Sequence, residues 1–208
     1  MSNPSVGLPF IVKICGITNE ADARVAVESG ANALGFNFYP ESPRYVTPLR
    51  AREIVKSVPG AYLKVGVFVN PSLLDLKEIA AEVPLDVLQL HGLCPSSLDR
   101  DRVWRSIHPG SPLDCPTAEA YLMDAPGDRF GGSGRTFDWS LAASVPARII
   151  LAGGLDAANV SEAIRIAQPW GVDACSRLES TPGKKDPRRV RDFVRLALAA
   201  IQFQEVSL

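Results

Sequence analysis

The feature that most constrains this chain is an alternation of short apolar runs with helical patterns. Eight apolar runs of strand length occur between residues 11 and 175, and most are followed by a stretch of helical periodicity. In a chain of 208 residues, eight such units predict an α/β protein with the (β/α)8 architecture of a TIM barrel, as a single domain over residues 1–208. The predicted strands cover residues 11–17, 33–39, 63–69, 87–91, 103–107, 120–124, 148–152 and 172–175.

The helical patterns between these strands differ in length. Residues 92–102 and 108–119 leave little room for a helix, and three prolines interrupt the second connection. We therefore expect helices four and five of the barrel to be shortened or missing. The clearer helical patterns cover residues 19–29, 48–57, 72–82, 156–168 and 187–201.

A doubly wound open sheet is the main alternative fold. Such a sheet usually has fewer strands at this length and carries a glycine-rich turn, G-x-G-x-x-G, after its first strand. Here the first strand leads into C-G-I-T at residues 15–18. The number of strands and this turn both favour the barrel.

Composition and charge exclude several classes of function. The net charge of −1 gives no basic surface for nucleic acid. The N-terminus lacks the pattern of a signal peptide, and no apolar run reaches the about 18 residues of a membrane span, so we expect a cytoplasmic protein. The cysteines include no C-x-x-C pair, and the chain has only two histidines, so we expect neither a zinc site nor a disulfide framework. The cysteines are Cys15, Cys94, Cys115 and Cys175.

Two residues at predicted strand ends are candidates for acid–base chemistry, because barrel enzymes place catalytic groups there. Lys13 and Cys15 share one face of the first strand, and a nearby ammonium favours a thiolate. A packed core cysteine is the alternative. Asp124 follows the apolar run Y-L-M, and burial there would raise the pKa of its carboxyl group. A helix cap or loop aspartate is the alternative.

Other polar or glycine-rich positions could bind a ligand. Arg44 could hold a carboxylate through two hydrogen bonds, or form a surface ion pair. Gln89 and His91 share a face at the end of strand four and could place polar groups in the mouth of the barrel. The alternative is that His91 is a core histidine whose hydrogen bonds are made within the protein. The pair Gly153 and Gly154 precedes a helix, so its amides could bind phosphate, or it could serve only as a turn.

Taken together, several stretches resemble the phosphoribosylanthranilate isomerase family of tryptophan biosynthesis. The resemblance runs from residue 12 to about residue 190, and KICGIT, LQLHG and GG-x-G-x-x-FDW in this order are highly specific. It implies a barrel that converts N-(5-phosphoribosyl)anthranilate to its 1-deoxyribulose 5-phosphate isomer by an Amadori rearrangement, without a cofactor. The matching stretches are VKICGIT, ALGFNFYPESPRYV, VGVFVN, LQLHG, MDA…GGSGRTFDW, LAGGLDAANV and ESTPGKKD.

The resemblance also implies roles for individual residues. Cys15 would be the general base and Asp124 the general acid, and Arg44 would hold the anthranilate carboxylate. The loops after strands seven and eight would hold the phosphate, and residues 131–134 would cover the sugar. With the positions above, the expected substrate-binding residues are Lys13, Arg44, Gln89, His91, Gly132, Gly134, Gly153, Gly154, Ser176 and Arg177.

One position departs from the family pattern. Where the family usually has Ser-Gly-Val-Glu after strand eight, this chain has an arginine, Arg177, in place of the glycine. Its side chain could add attraction for phosphate or obstruct the site, and a positive φ there would cost about 1 kcal/mol or more. A related histidine-pathway isomerase and a non-catalytic phosphate-binding barrel are the alternative functions. The resemblance allows either a monomer or a homodimer.

Overall fold

A closed barrel of eight parallel strands forms the centre of the protein in the computed structural model, which describes residues 10–95, 102–126, 134 and 136–206. Each strand pairs with the next along the chain, and β8 pairs with β1 to close the barrel, as predicted. The strands are β1 (Ile11–Cys15), β2 (Ala33–Asn37), β3 (Leu63–Val69), β4 (Val87–His91), β5 (Arg102–Ile107), β6 (Ala118–Met123), β7 (Ile149–Leu151) and β8 (Gly171–Ala174).

Two layers of side chains fill the barrel. Alternate residues of each strand point inward, and one group of them forms an apolar cluster that includes Ile11, Val65 and Trp104. Toward the carboxyl ends of the strands, buried polar side chains such as Lys13 and Gln89 replace the apolar ones. The barrel thus has a packed apolar base and a polar upper layer, on which a site can be built.

Five helices with the lengths usual in such barrels cover the outside. Asn19 and Thr47 cap the first two by accepting hydrogen bonds from Asp22 N and Arg50 N, and Ser72 forms a capping box with Asp75. These caps explain why the predicted helix starts agree well with the observed ones. The helices are α1 (Glu20–Glu28), α2 (Pro48–Ser57), α3 (Leu73–Glu82), α5 (Val160–Ala167) and α6 (Pro187–Val206), with a single-turn α4 (Ser140–Ala143) before β7.

The described residues of the connections before and after β5 contain no helix, in agreement with the prediction for that part of the chain. Residues 108–117 contain turns and irregular backbone, and so do residues 92–95, the described part of the preceding connection. A disulfide between Cys94 and Cys115 joins these two connections. The expectation that the cysteines form no disulfide was therefore wrong, because the pair is 21 residues apart and only the fold brings it together.

Several boundaries differ from the predicted ones for local reasons. Gly16 has φ +74°, so β1 ends at Cys15, two residues before the predicted end of this strand. α5 begins at Val160 rather than at residue 156, because Asn159 donates to Gly154 O within a turn. After β8 the chain adds a short 3-10 helix and a hairpin of β9 (Glu179–Thr181) and β10 (Lys184–Lys185), which have no periodic signal in the sequence. Among the described residues, no helix is both long and apolar enough to cross a membrane.

Candidate active site

A cavity of about 730 Å³ lies at the carboxyl ends of the barrel strands. It brings together nearly all of the predicted site residues, from six different strands or the loops that follow them. Lys13 lies beneath the cavity and is fully buried, and Gly132 falls outside the described residues. The predicted residues that line the cavity are Cys15, Arg44, Gln89, His91, Asp124, Gly134, Gly153, Gly154, Ser176 and Arg177.

Asp124 directly follows β6 and is 9% exposed. Burial, with the nearby Asp173 carboxylate, raises the pKa of its carboxyl group to about 6, against the hydrogen bond that Ala125 N donates to it. The predicted direction is therefore confirmed. A carboxyl group with this pKa can give up and regain a proton near neutral pH.

Cys15 ends β1 and faces the same cavity. The expectation of a lowered thiol pKa was wrong in its net direction, although Lys13 acts in the predicted sense. The hydrogen bond with Cys175, together with burial, raises this pKa well above its usual value, although Lys13 opposes the shift. Lys13 has limited influence because its Nζ forms an ion pair of 2.8 Å with Asp173, which faces it across the β1–β8 pairing.

Arg44 is held by Glu179 rather than lying on the surface. Its Nε and Nη2 donate to the two carboxylate oxygens of Glu179 at 2.9 and 2.8 Å, and the side chains are only 14% and 4% exposed. Among the described residues, Arg44 Nη1 makes no hydrogen bond. The arrangement fixes a guanidinium at the cavity wall with donors left for a second carboxylate.

Gln89 and His91 form a polar group on the cavity floor with Ser106. The distances from His91 Nε2 to Gln89 Nε2 and to Ser106 Oγ are both 3.1 Å. Burial, with the positive charges of Lys13 and Arg105, lowers the pKa of His91 to about 3, so the ring is neutral. Gln89 Oε1 is buried and has no hydrogen-bond partner among the described residues, which leaves an acceptor for a ligand.

The opposite end of the cavity has exposed backbone and one guanidinium. Gly153 has φ +82°, and a Cβ there would lie 2.6 Å from Ala125 N, so only glycine fits. Arg177 has no positive φ, so the backbone strain considered above does not arise. Its side chain turns to the rim, where Nη1 lies 2.8 Å from Asp156 and Nε donates to Gly134 O.

The comparisons with known proteins agree on one family. Residues 12–196 match the family model described as N-(5'phosphoribosyl)anthranilate (PRA) isomerase. The N-(5'-phosphoribosyl)anthranilate isomerase of Solibacter usitatus is 49% identical over 92% of this chain and 99% of its own length. The chain belongs to the phosphoribosylanthranilate isomerase family.

Solved structures of phosphoribosylanthranilate isomerases share the fold. The enzyme from Thermus thermophilus superposes with a TM-score of 0.82 at 32% identity and covers 92% of this chain and 99% of its own. Another was solved in complex with reduced 1-(o-carboxyphenylamino)-1-deoxyribulose 5-phosphate, with a TM-score of 0.78, 37% identity, and coverage of 91% of this chain and 98% of its own.

The sequence-based prediction missed a group of residues around Cys175. Lys185 Nζ lies 3.0 Å from Glu179 Oε1 and 3.7 Å from Cys175 Sγ, and Glu179 also binds Arg44. The β9–β10 hairpin folds Lys185 back toward β8. A buried lysine in the polar run G-K-K-D has no signal in the sequence, although Cys175 at a strand end could have been flagged as Cys15 was.

Proposed function

We propose that Cys15 and Asp124 carry out the isomerisation of N-(5-phosphoribosyl)anthranilate in this member of the family. The observation that supports this assignment most is their placement at one cavity, on strands three apart round the barrel. An internal aldose–ketose isomerisation needs one group that donates a proton and one that removes a proton. Both groups come from the chain, so the proposed chemistry includes no cofactor.

The reaction then follows in two proton transfers. Asp124, whose pKa of about 6 keeps a usable proton near neutrality, protonates the ring oxygen of the sugar as the ring opens to an iminium. Cys15, as a thiolate, removes the proton from C2, and the electron pair of that bond forms the enolamine. Tautomerisation of the enolamine gives the ketone, 1-(2-carboxyphenylamino)-1-deoxyribulose 5-phosphate.

The remaining residues bind the two anionic ends of the substrate. Arg44, fixed by Glu179, is proposed to bind the anthranilate carboxylate through its free Nη1 side. The phosphate is proposed to bind at the opposite end through backbone amides and the Arg177 guanidinium. The proposed binding residues are Lys13, Arg44, Gln89, His91, Gly132, Gly134, Gly153, Gly154, Ser176 and Arg177, of which Lys13 acts from beneath the cavity.

Turnover of the substrate tests the assignment. N-(5-phosphoribosyl)anthranilate is generated in place by a separate transferase, and the loss of its fluorescence is followed. We expect Cys15→Ala and Asp124→Asn to lose on the order of 100-fold or more in kcat, while Glu82→Gln, an exposed position on α3, retains it. Full activity in either site variant would remove that residue from the mechanism.

The wider organisation stays a prediction. We propose one domain over residues 1–208, a cytoplasmic location, a small phosphosugar as the only ligand, and either a monomer or a homodimer. Size-exclusion chromatography with light scattering would decide between the two oligomeric states.

A further inference from the structure

Two thiols lie side by side in the cavity, although the proposed mechanism uses only one. The side chains of Cys15 and Cys175 hydrogen-bond to each other. The β1–β8 pairing places Ile14 opposite Ala174, and the two cysteines occupy the next position along each chain. Both are free cysteines and both line the cavity. The two thiols are therefore neighbours at the cavity, at the ends of adjacent strands of the barrel.

The charges beside Cys15 balance. Lys13 lies beneath it, fully buried, and forms an ion pair with Asp173 at 2.8 Å. Among the charged groups described next to Cys15 on β1 and β8, one cation thus faces one anion. Arg44 and Lys185 also act on Cys15, but each acts more strongly on Cys175, so the Cys15 side of the thiol pair has less positive charge to stabilise a thiolate.

The charges beside Cys175 do not balance. Lys185 Nζ lies 3.7 Å from its sulfur and is buried, and the Arg44 guanidinium is a second cation nearby. Within the part of the chain that the structure describes, Glu179 is the one carboxylate that both cations contact, and its Oε1 also lies 3.9 Å from the Cys175 sulfur. Two cations against one anion leave a surplus of one positive charge on this side of the thiol pair.

This asymmetry decides which sulfur holds the proton in the free enzyme. The hydrogen bond from Cys15, then Lys185 and Arg44, lower the pKa of Cys175 to about 6, against burial and Glu179. The pKa of Cys15 moves in the opposite direction. In the free enzyme the charge therefore lies on Cys175, and Cys15 is a neutral thiol, which cannot act as a base.

We propose that Cys175 is a positioning residue that activates Cys15 by taking its proton when the substrate binds, an inference that rests on the proposed function. The Cys15 S–H bond breaks and the Cys175 S–H bond forms, so that Cys15 becomes the thiolate. Cys15 then takes the proton from C2 of the iminium, and the electrons of that C–H bond form the enolamine. One proton moves in each step, and no oxidant or reductant is needed.

The substrate itself supplies the trigger. When its carboxylate binds Arg44, the added negative charge cancels the surplus positive charge beside Cys175. A thiolate on Cys175 then loses its electrostatic advantage over one on Cys15. Binding the anthranilate end of the substrate is thus coupled to the appearance of the base at its sugar end.

Thiolate absorbance in the ultraviolet, measured without substrate at about pH 7, tests the charge assignment. We expect the wild-type signal to persist in Cys15→Ser, whose hydroxyl can still donate to Cys175, and to be lost in Cys175→Ser. Thr181→Ser, an exposed position in the β9–β10 hairpin, is the control and should match the wild type. Loss in Cys15→Ser with persistence in Cys175→Ser would overturn the proposal.

The pH dependence of turnover tests the relay. In Cys175→Ser, Cys15 must ionise alone, so we expect kcat near neutrality to fall about tenfold or more and to recover as the pH rises, with KM little changed. An equal loss at every pH would show a merely structural role and overturn the proposal, and so would an unchanged pH profile. If the wild type fails to turn over the substrate, the proposed function and the relay fail together, whereas the absorbance result still identifies the charged sulfur.

Discussion

Replacement of the proposed general acid should make the protein more stable. Asp124 is 9% exposed, and burial with the Asp173 charge raises its pKa from 3.8 to about 6. A group whose pKa is higher in the folded state favours folding when protonated and opposes it once ionised. The free-energy cost of ionising the group in the folded state is small at pH values below the pKa of the unfolded state, and it reaches its full size above the pKa of the folded state. Asp124→Asn removes it, because an amide is never ionised.

The size of the gain follows from the two pKa values. At about pH 7.5, well above both, the penalty of ionised Asp124 amounts to about 3 kcal/mol by linkage, and at about pH 5 it falls to about 1.5 kcal/mol. The amide oxygen of the variant can still accept the hydrogen bond from Ala125 N. We therefore expect Asp124→Asn to raise the free energy of unfolding by these amounts while lowering kcat on the order of 100-fold or more.

Urea denaturation of wild type and variant at the two pH values measures the difference. Glu82→Gln, an exposed carboxylate for which we expect a change within about 0.5 kcal/mol, is the control. The reasoning would be refuted if Asp124→Asn were no more stable than the wild type at the higher pH. A gain of equal size at both pH values would also refute it, since it would not come from ionisation.

Three further predictions concern other parts of the barrel. Lys13→Met should leave Asp173 without its partner in the buried pair and cost about 3 kcal/mol in urea denaturation; a loss below about 1 kcal/mol would contradict the role of the pair. Reduction of the Cys94–Cys115 disulfide, which closes a loop of 21 residues, should lower the free energy of unfolding by about 3 kcal/mol. Adding reductant should therefore lower the melting temperature of the wild type, whereas it should leave that of the Cys94→Ser, Cys115→Ser double variant unchanged. Arg177→Gly should raise KM about tenfold with kcat unchanged in initial-rate measurements, whereas a lower KM would show that the arginine obstructs the phosphate site.

The barrel could be predicted from the sequence because each of its strands is a short apolar run with its own boundaries. Where the prediction failed, the decisive contacts are distant along the chain. Lys13 is two residues from Cys15, so its influence was visible, but Asp173, which neutralises it, lies 160 residues away. A local pattern shows a charge but neither its partner nor the distant Cys175 and the burial that mainly raise the pKa of Cys15, so the predicted direction of that pKa was wrong.

The site residues were easier to predict than their electrostatics for a related reason. A barrel places the end of every strand at one rim, so membership of the site follows from the strand boundaries alone. The protonation states depend instead on side chains from the β9–β10 hairpin, above all Lys185, whose buried position has no periodic signature. The sequence therefore identifies the residues that meet at the cavity, whereas the structure is needed to determine which of them is charged.

The distribution of charge between strands and loops explains how one cavity can accept a dianionic phosphate and a carboxylate without losing its acid–base groups. On the strands, Lys13 and Asp173 cancel each other, so the layer beneath the reacting carbon atoms is neutral. The two cations that we propose to bind the substrate, Arg44 and Arg177, come from loops, and each is already held by one carboxylate. Such paired guanidinium groups bind anions through their remaining donors while adding little net charge near Asp124. We therefore expect the pKa of Asp124 to remain raised when the substrate binds, as its proposed role as the acid requires.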